Sequence, residues 1–531
     1  MVYVVGSGPA GVSVAHALLQ RGADVTMLDV GLELEPDRAR AVESLARCPP
    51  DQWPVAARSA LQWNAEVDAR NVPLKLAYGS DLPYRAVGGG LPVRQSGVTV
   101  TSSCARGGLS NLWGGAVLPY RHEDMGDWPI RLDDLAPHYR AVFEHMPLAA
   151  RQDDLEEAWP LYAPRRLSLN PSRQAGALLR DLDAVRGALS REGIRYGQAR
   201  LALQADPVGD QGGCVYCGMC LHGCPRKLIY NSAASLEALL TRPRFRYSGD
   251  VVVDRVVGNG EEVRLLCRHP SSRQPFTLRG ERVYLAAGVL GTAKIILASV
   301  AAHGQCLMIR DCQYFLLPLL RYRGIAGVSG ELLHTLAQVF LEISACIPEG
   351  NPSHLQIYTY NDLYWRALGK RLGPIASVAG ALVDPLLGRL LAVQGYLHSN
   401  DSSAISIRLE RQADADELVL EAVINPRARA HVDGIVRKLF RCRRYLRAMP
   451  LFPLLQLGQP GEGSHIGGTF PMRRIPGELE TDILGRVAGM PRVHLVDASV
   501  FPSIPAATIT LSVMANAHRI GSAYARESRA A

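Results

Sequence analysis

Lysine is scarce in this sequence: five of its 58 basic residues are lysines, and the others are arginines spread along the 531-residue chain. The formal net charge of +8 comes with no basic run interleaved with aromatic residues, which a nucleic-acid groove or stacking platform would require. We therefore expect no nucleic-acid partner, whereas acidic or phosphorylated substrates stay open.

Long uninterrupted apolar runs are lacking as well. The segment Leu372–Leu397 is mostly apolar, but Pro374, Asp384, Pro385 and Arg389 interrupt it. A membrane-spanning helix needs about 20 predominantly apolar residues in succession, so none is expected here. We interpret the segment as a buried helix pair of a substrate domain, and the alternative is a lid that contacts a membrane surface.

We also expect no secretory leader, because the strand-like residues Val2–Val5 follow Met1 with no basic region and no long apolar region before them. We expect a cytoplasmic protein, peripheral to a membrane only if the apolar segment contacts one. In a reducing compartment we expect the eleven cysteines to be free thiols or metal ligands rather than disulfides. With 47% hydrophobic and 20% charged residues, the chain has the composition of a folded enzyme and the length of two domains.

The first 31 residues predict a dinucleotide site. Residues 2–31, VYVVGSGPAGVSVAHALLQRGADVTMLDVG, read as strand, glycine-rich turn, helix and strand. In this turn Gly6 permits the tight bend, Gly8 lets the backbone approach a pyrophosphate, and Gly11 allows close helix packing. Asp29 ends the second strand, where its carboxylate can accept hydrogen bonds from ribose hydroxyls. The unit binds either FAD or NAD, so the choice between them must come from other segments.

Several separated segments together resemble the glucose-methanol-choline (GMC) oxidoreductases, a family of FAD enzymes that oxidise alcohols. These segments are GSGPAG, ARGGLSNLWGGAVLP, LAAGVLGTAKIIL, SHIGGTFPM and VDASVFPSIPAATITLSVMANAHRI, and the resemblance spans nearly the whole chain. It implies FAD as the cofactor and an alcohol as the small-molecule substrate.

The predicted fold class is α/β, with a Rossmann-type FAD-binding domain and a second α+β substrate domain built on an antiparallel sheet. The FAD-binding domain is expected to be discontinuous, because a further strand–helix unit and the closing strand and helix lie far from the first unit. The expected pieces are 1–130, 195–300 and 460–531 for the FAD-binding domain, 131–194 and 301–459 for the substrate domain, and 212–225 for a cysteine-rich loop.

The resemblance also implies which residues hold FAD. Gly107, Gly108, Ser110, Asn111 and Trp113 would lie along the flavin, and Asp497 and Ala498 would contact the pyrophosphate and ribityl chain. Further residues assigned to the cofactor are Pro9, Ala10, Val253, Ala287, Gly288, Thr508 and Ile509. Leu112 occupies the place at which some members attach FAD through a histidine, so we expect non-covalent FAD.

His465, in the stretch SHIGGT, matches the family histidine that stands near flavin N5, and it is the expected base. An alcohol must lose its hydroxyl proton while a hydride leaves its carbon, and a neutral imidazole suits the first task. The second catalytic position, usually Asn or His, falls on Thr508, six residues after Pro502. A threonine hydroxyl is a shorter and poorer partner for the alcohol oxygen. The activity is then slow, altered or dependent on a residue of the middle segment, or the chain binds flavin without alcohol chemistry.

Cys214, Cys217, Cys220 and Cys224 form CxxCxxCxxxC followed by Pro225, the spacing of bacterial ferredoxins. A [3Fe-4S] cluster, a [4Fe-4S] cluster with a remote ligand, structural zinc and plain thiols all stay open. Some FAD glucose dehydrogenases that resemble this family carry a cluster here and pass electrons outward. That resemblance would favour a dehydrogenase with an external acceptor protein, or a flavin and iron–sulfur electron-transfer module.

Sugar-like alcohols are the first choice of substrate, because family members with related cysteine loops act on sugars. Lipid or sterol-like alcohols are the second choice. The aromatic residues Tyr358, Tyr360, Tyr364 and Trp365 fit a sugar-stacking wall as well as an ordinary core.

Overall fold

The computed structural model describes residues 1–62, 75–87, 91–163, 167–208, 212–258, 260–361, 385–412 and 416–524. The helices are α1 Pro9–Gln20, α2 Pro36–Arg47, α3 Val55–Leu61, α4 Leu132–Val142, α5 Arg173–Asp183, α6 Arg186–Arg191, α7 Ser232–Leu240, α8 Gly288–Ser299, α9 Pro426–Arg441, α10 Arg443–Leu446 and α11 Thr510–Ser522. The strands are β1 Val2–Val5, β2 Val25–Leu28, β3 Val93–Ser96, β4 Ile194–Gln198, β5 Phe245–Ser248, β6 Val252–Gly258, β7 Val263–Arg268, β8 Pro275–Gly280, β9 Arg282–Leu285, β10 Leu307–Asp311, β11 Tyr314–Arg321, β12 Val339–Ile343, β13 Ser353–Tyr358, β14 Leu390–Tyr396, β15 Ala404–Arg411, β16 Asp416–Val423, β17 Ala448–Pro450, β18 Gln456–Leu457, β19 Ile466–Gly467, β20 Arg486–Val487 and β21 Met490–Leu495.

A six-stranded sheet of order β20-β21-β9-β1-β2-β5 forms the centre of the nucleotide-binding part. Its inner strands are parallel, and β20 alone pairs antiparallel, with β21. All four residues of β1 are buried, as expected for a parallel strand covered on both faces. Helix α1 packs against α11, which in turn packs against α4. This sheet confirms the predicted α/β class with a Rossmann-type unit.

A second sheet is antiparallel throughout and has the order β17-β11-β14-β13-β12-β4, with β18 also paired to β11. Buried side chains of α5 and α9 pack with this sheet in a hydrophobic core of its own. Strand β4 belongs to it although the predicted limits assign 195–300 to the FAD-binding domain. The domain limits themselves stay a prediction.

A five-stranded sheet of order β19-β10-β15-β16-β3 connects the closing segment of the chain to its middle part. Its strand β19 follows His465 directly and pairs antiparallel with β10. This pairing fixes the backbone on which the predicted base stands. The three-stranded antiparallel meander β6-β7-β8 leads into β9 of the parallel sheet.

The apolar middle segment is described only from residue 385 onwards, so Pro374 and Asp384 lie outside the described residues, as do Tyr364 and Trp365. Its later part, β14, is a strand of the antiparallel sheet rather than a helix. The predicted helix pair is therefore wrong for this part, because strand pairing with β11 and β13 outweighs the local apolar pattern. Within the described residues, every helix falls short of the length and apolar content that a bilayer crossing requires.

Four histidines come together where α1, α4 and α11 meet. His16 stacks on His145 with ring centroids 4.4 Å apart, and the Nδ1 atoms of His138 and His518 lie 2.9 Å apart. Burial lowers the pKa of His138 and His518 to about 4 and that of His145 to about 3. The cluster is therefore neutral at physiological pH, and charging it opposes folding.

We expect this cluster to make the fold sensitive to acid. The unfolded chain binds protons below the ordinary histidine pKa of about 6.5, whereas the folded cluster resists them until about pH 4, so stability is lost between these two values. Replacing His16 and His145 together by phenylalanine should keep the stacked pair and reduce the loss between pH 7 and pH 4.5 by about 2 kcal/mol. Urea unfolding of both proteins across this pH range measures the difference, and parallel pH profiles would contradict it.

Candidate functional site

The glycine-rich turn after β1 forms an open cradle at the start of α1. A Cβ atom at Gly6 would lie 2.5 Å from the carbonyl oxygen of Ala286, and one at Gly11 would lie 1.9 Å from the carbonyl oxygen of Gly6. These two glycines therefore permit close backbone packing. A Cβ at Gly8 would meet no protein atom within 4 Å, and Gly8 lines a large cavity. The backbone at Gly8 is thus left open to a ligand at the helix N-terminus, where a pyrophosphate would bind.

Asp29 stands at the end of β2, in the wall of the same cavity. The hydroxyl of Ser7 donates a hydrogen bond to its carboxylate, and the backbone N–H of Gly107 donates to Ser7 Oγ at 2.9 Å. Burial raises the pKa of Asp29 to about 6. This chain of contacts connects Asp29, the carboxylate predicted to bind ribose, to the segment predicted to lie along the flavin.

The segment Gly107–Trp113 passes close to the cradle, and a Cβ at Gly108 would lie 3.5 Å from Gly8 Cα. The backbone of Gly107 and Gly108 is left-handed, with φ values of +86° and +57°. Ser110 Oγ donates to the carbonyl oxygen of Gly107 at 2.6 Å, and Trp113 Nε1 donates to that of Tyr230 at 2.6 Å. These bonds hold the loop against the nucleotide-binding part.

The structure places most of the predicted cofactor residues in one cavity of about 970 Å³. Those that line it are Gly6, Gly8, Pro9, Ala10, Asp29, Gly108, Ser110, Trp113, Val253, Ala287, Gly288, Asp497, Ala498, Thr508 and Ile509. Gly11, Gly107 and Asn111 stand behind this wall instead. Asn111 accepts a hydrogen bond from Asn231 Nδ2 at 2.7 Å, which fixes its side chain in the loop. Its contact with the flavin stays a prediction.

His465 lines the same cavity, and its side chain is partly exposed. Its ring stacks on Tyr396 at a centroid distance of 4.7 Å, and its carbonyl oxygen accepts from the backbone N–H of Cys312 at 2.9 Å. Burial, with a smaller contribution from His354, lowers the pKa of His465 to about 4. Nδ1 is buried and finds no hydrogen-bond partner among the described residues, so Nε2 is the atom available to a ligand. The imidazole is therefore neutral and able to accept a proton.

Thr508 also lines the cavity, but its hydroxyl oxygen accepts a hydrogen bond from the backbone N–H of Leu118 at 2.8 Å. The side chain is buried. One lone pair is thus committed to the protein, and the hydroxyl proton is what remains for a ligand. Thr508 therefore has two roles: its hydroxyl fixes the backbone at Leu118, and its side chain lines the cavity.

Sequence reasoning missed a layer of polar side chains on the antiparallel sheet beside His465. Gln356 of β13 pairs directly with Gln394 of β14, and both line the cavity. The hydroxyl of Tyr358 donates to Gln356 Oε1 at 3.1 Å, and Gln356 Nε2 lies 3.3 Å from His354 Nε2. His354 Nδ1 in turn pairs with the buried Glu342. Alternation in the segment SHLQIY puts His354, Gln356 and Tyr358 on one face, which was the available signal.

Of the aromatic residues considered for a stacking wall, Tyr358 lines the cavity, together with Tyr314 and Tyr396. Tyr360 lies outside this lining, where its backbone N–H donates to Gln174 Oε1 at 2.9 Å.

Lys75 is a second residue that sequence reasoning missed. Its Nζ donates to the carbonyl oxygen of Trp113 at 3.1 Å, and it lines the cavity. Burial lowers its pKa to about 8. A positive charge therefore lies beside the segment expected to hold the flavin.

The cysteine-rich loop does not form the predicted metal site. All four cysteines are free thiols, and the described residues contain no group of three or more His, Cys, Asp or Glu side chains arranged to hold a metal ion. Burial raises the pKa of Cys214 and Cys220 to about 12 and that of Cys217 to about 11, so these thiols are protonated when no metal ion is bound. The iron–sulfur and zinc interpretations are therefore not supported, because ferredoxin-like spacing did not bring the sulfur atoms into a coordinating arrangement.

We compared the chain with protein-family models and with curated proteins, and the part of the chain that matches a family model includes residues that line this cavity. Residues 456–517, which contain His465 and Thr508, match the family model described as GMC oxidoreductase. A curated relative is 6'''-hydroxyparomomycin C oxidase of Streptomyces lividus, 24% identical over 561 aligned residues that cover 99% of this chain and 91% of that protein.

Two solved structures share the fold over the whole chain. Pyridoxine 4-oxidase from Mesorbium loti aligns with a TM-score of 0.61 at 14% identity, covering 100% of this chain and 99% of its own. A variant of formate oxidase from Aspergillus oryzae RIB40 aligns with a TM-score of 0.59 at 14% identity, covering 100% and 98%. The resemblance stated from the sequence motifs is thereby confirmed.

Proposed function

Since residues 456–517 match the GMC oxidoreductase family model and a curated oxidase aligns over 99% of the chain, we propose that this protein is an enzyme of that family. It would oxidise an alcohol group of a sugar or sugar-containing metabolite, with non-covalently bound FAD as cofactor and His465 as base. The observation that carries this proposal is the single cavity that extends from the open backbone at Gly8 to the neutral imidazole of His465. A cofactor at one end and an alcohol at the other would share this space. When bound, FAD supplies the hydride acceptor that the oxidation needs.

The residues around the cradle fit FAD. The open space at Gly8 admits the pyrophosphate, and the carboxylate of Asp29 can accept from ribose hydroxyls. The carboxylate of Asp497 is already used inside the protein, since it accepts from Thr292 Oγ1 at 2.6 Å and from the backbone N–H of Ser499 at 3.0 Å. Asp497 therefore fixes the loop that precedes α11, and the backbone of this loop faces the cofactor.

His465 would take the hydroxyl proton of the substrate on Nε2. Its low pKa keeps it neutral, and the stacked ring of Tyr396 holds its orientation. The polar layer formed by Gln356, Gln394 and Tyr358 would bind the other hydroxyl groups of the substrate. This layer favours a sugar-like substrate over a lipid, because a sugar hydroxyl can use the donor and acceptor capacity that the amides of Gln356 and Gln394 keep beyond their bonds within the protein. The curated relative, whose name describes an oxidase of a hydroxylated compound, supports an alcohol group as the site of oxidation.

The proposal is tested by mixing the FAD-bound protein anaerobically with one panel of sugars and sugar-containing compounds and with another of long-chain or sterol alcohols. Loss of the visible band of oxidised flavin with members of the first group only is the expected result. Bleaching by lipid alcohols alone would overturn the proposed substrate class. If no compound of either panel bleached the flavin, the proposed alcohol oxidation would be overturned for both classes. Reoxidation with oxygen, compared with reoxidation by a dye, then distinguishes an oxidase from a dehydrogenase.

Replacing Gln356 by leucine is expected to raise KM for a sugar-type substrate by roughly 2- to 10-fold with a smaller change in kcat, the effect of one lost hydrogen bond. The leucine has nearly the same volume but cannot pair with substrate or with Tyr358 and His354. Steady-state kinetics of this variant measure the effect, and Gln412→Leu, in a loop away from the cavity, is the matched control. An unchanged KM would remove Gln356 from substrate binding.

A further inference from the structure

A second cavity, of about 600 Å³, lies apart from the first and shares no residue with it. Its charged and titratable lining consists of Arg21, Arg131, Arg474, Arg519, His138 and Asp134. We call it the arginine cavity. Arg21 follows the last residue of α1, whose first residue adjoins the pyrophosphate cradle. A helix of 12 residues is about 18 Å long, so the two cavities lie at opposite ends of α1.

Positive charge outweighs negative charge around the arginine cavity, although the carboxylates of Asp134 and Asp482 act favourably on Arg519. Four guanidinium groups face one carboxylate, that of Asp134, and within the described residues none of the four arginines forms an ion pair. The nearby carboxylate of Asp482 is already bound to Arg486, whose Nε donates to it at 2.6 Å. Uncompensated like charges around a shared space repel one another, and an anion in that space removes the repulsion.

Arg519 is held in place for binding. Its Nε and Nη2 donate to Asn516 Oδ1 at 3.0 and 2.8 Å, and Nη2 also donates to the carbonyl oxygen of Ile483. These bonds fix the plane of the guanidinium, while Nη1 has no partner among the described residues. An arginine held in this way binds an oxyanion without first losing side-chain freedom.

Helix dipoles account for only part of this arrangement. Arg21 and Arg519 are at the C-terminal ends of α1 and α11, where a cation stabilises the helix. Arg131 precedes the first residue of α4, at the end where a cation is unfavourable, and Arg474 lies in a loop. The convergence of all four on one cavity therefore needs another reason.

We propose that the arginine cavity binds a small phosphorylated molecule, at a site separate from the cofactor and the substrate. Guanidinium groups bind phosphate oxygens through paired N–H donors, and four of them around one space suit more than one phosphate oxygen at a time. The volume of the cavity admits a ligand larger than inorganic phosphate alone.

The test uses the FAD-saturated enzyme, so that the pyrophosphate cradle is filled, with inorganic phosphate and pyrophosphate as probes in titration calorimetry. We expect one saturable site per chain that weakens as salt is raised, with pyrophosphate bound more tightly. The double variant Arg21→Gln/Arg474→Gln should bind at least tenfold more weakly, and because both side chains are exposed its folding should be unaffected. Arg519→Gln should weaken binding as well.

Arg437→Gln, an exposed arginine of α9 outside the cavity, is the matched control and should bind like the unmodified enzyme. FAD content and alcohol turnover should stay unchanged in the double variant, which separates this site from the proposed catalytic one. Absence of saturable binding to the unmodified holoenzyme, or equal affinity in the double variant and the control, would overturn the proposal.

Discussion

Replacing His465 by alanine is expected to slow the reduction of bound FAD by the alcohol by roughly 10²- to 10⁴-fold, the usual contribution of a general base. The reason is the position and the protonation state of the His465 imidazole. Nε2 is the ring nitrogen that a ligand in the cavity can reach, and the low pKa keeps it unprotonated. Anaerobic stopped-flow measurement of flavin bleaching reports the step directly. The FAD content of the variant should equal that of the unmodified enzyme, because His465 is not among the residues predicted to hold the cofactor.

The pH profile gives an independent check on this assignment. A base with a pKa of about 4 is neutral above that pH and protonated below it, so the rate should fall as the pH falls through about 4. In His465→Ala this acidic limb should vanish. His269→Ala, at a partly exposed position outside the cavity, is the matched control and should keep both the rate and the limb. Equal rates with and without His465 would refute its role as base.

Short-range patterns in the sequence predicted the nucleotide-binding part well. The order of strand, turn and helix around Gly6 and Gly8 depends on residues close in the chain, and so does the place of Asp29 at the end of β2. The turn geometry leaves few residue types possible at these positions. The fold class and the cradle could therefore be inferred before any tertiary contact was known.

The metal site and the polar layer depend on long-range geometry that spacing does not determine. Four cysteines at ferredoxin-like spacing converge on a cluster only if the backbone turns their sulfur atoms inward, and the described residues contain no group of three or more His, Cys, Asp or Glu side chains arranged to hold a metal ion. Gln356 and Gln394 meet because β13 pairs with β14 in one register, and a shift by one residue would turn both away from the cavity. The sequence shows which residues share a face but not what that face meets.

Replacing Gly8 by leucine should abolish retention of FAD, lowering affinity by roughly 100-fold or more, since a side chain would occupy the space of the pyrophosphate. The new Cβ would meet no protein atom within 4 Å, and the φ of −63° at Gly8 suits any L-residue. The Gly8→Leu protein should therefore fold, with the leucine side chain occupying the cradle. FAD remaining after gel filtration, with a titration of the stripped protein, measures the effect.

Gly330→Leu is the matched control, because a Cβ there also meets no protein atom within 4 Å but points away from the cavity lining. It should keep its FAD. Gly11→Leu would be a poor test, since its Cβ would collide with the carbonyl oxygen of Gly6 and disturb the fold itself. Full FAD retention in a folded Gly8→Leu protein would mean that the cofactor does not approach the start of α1. The proposed function would then lose the observation that places the cofactor at the start of α1.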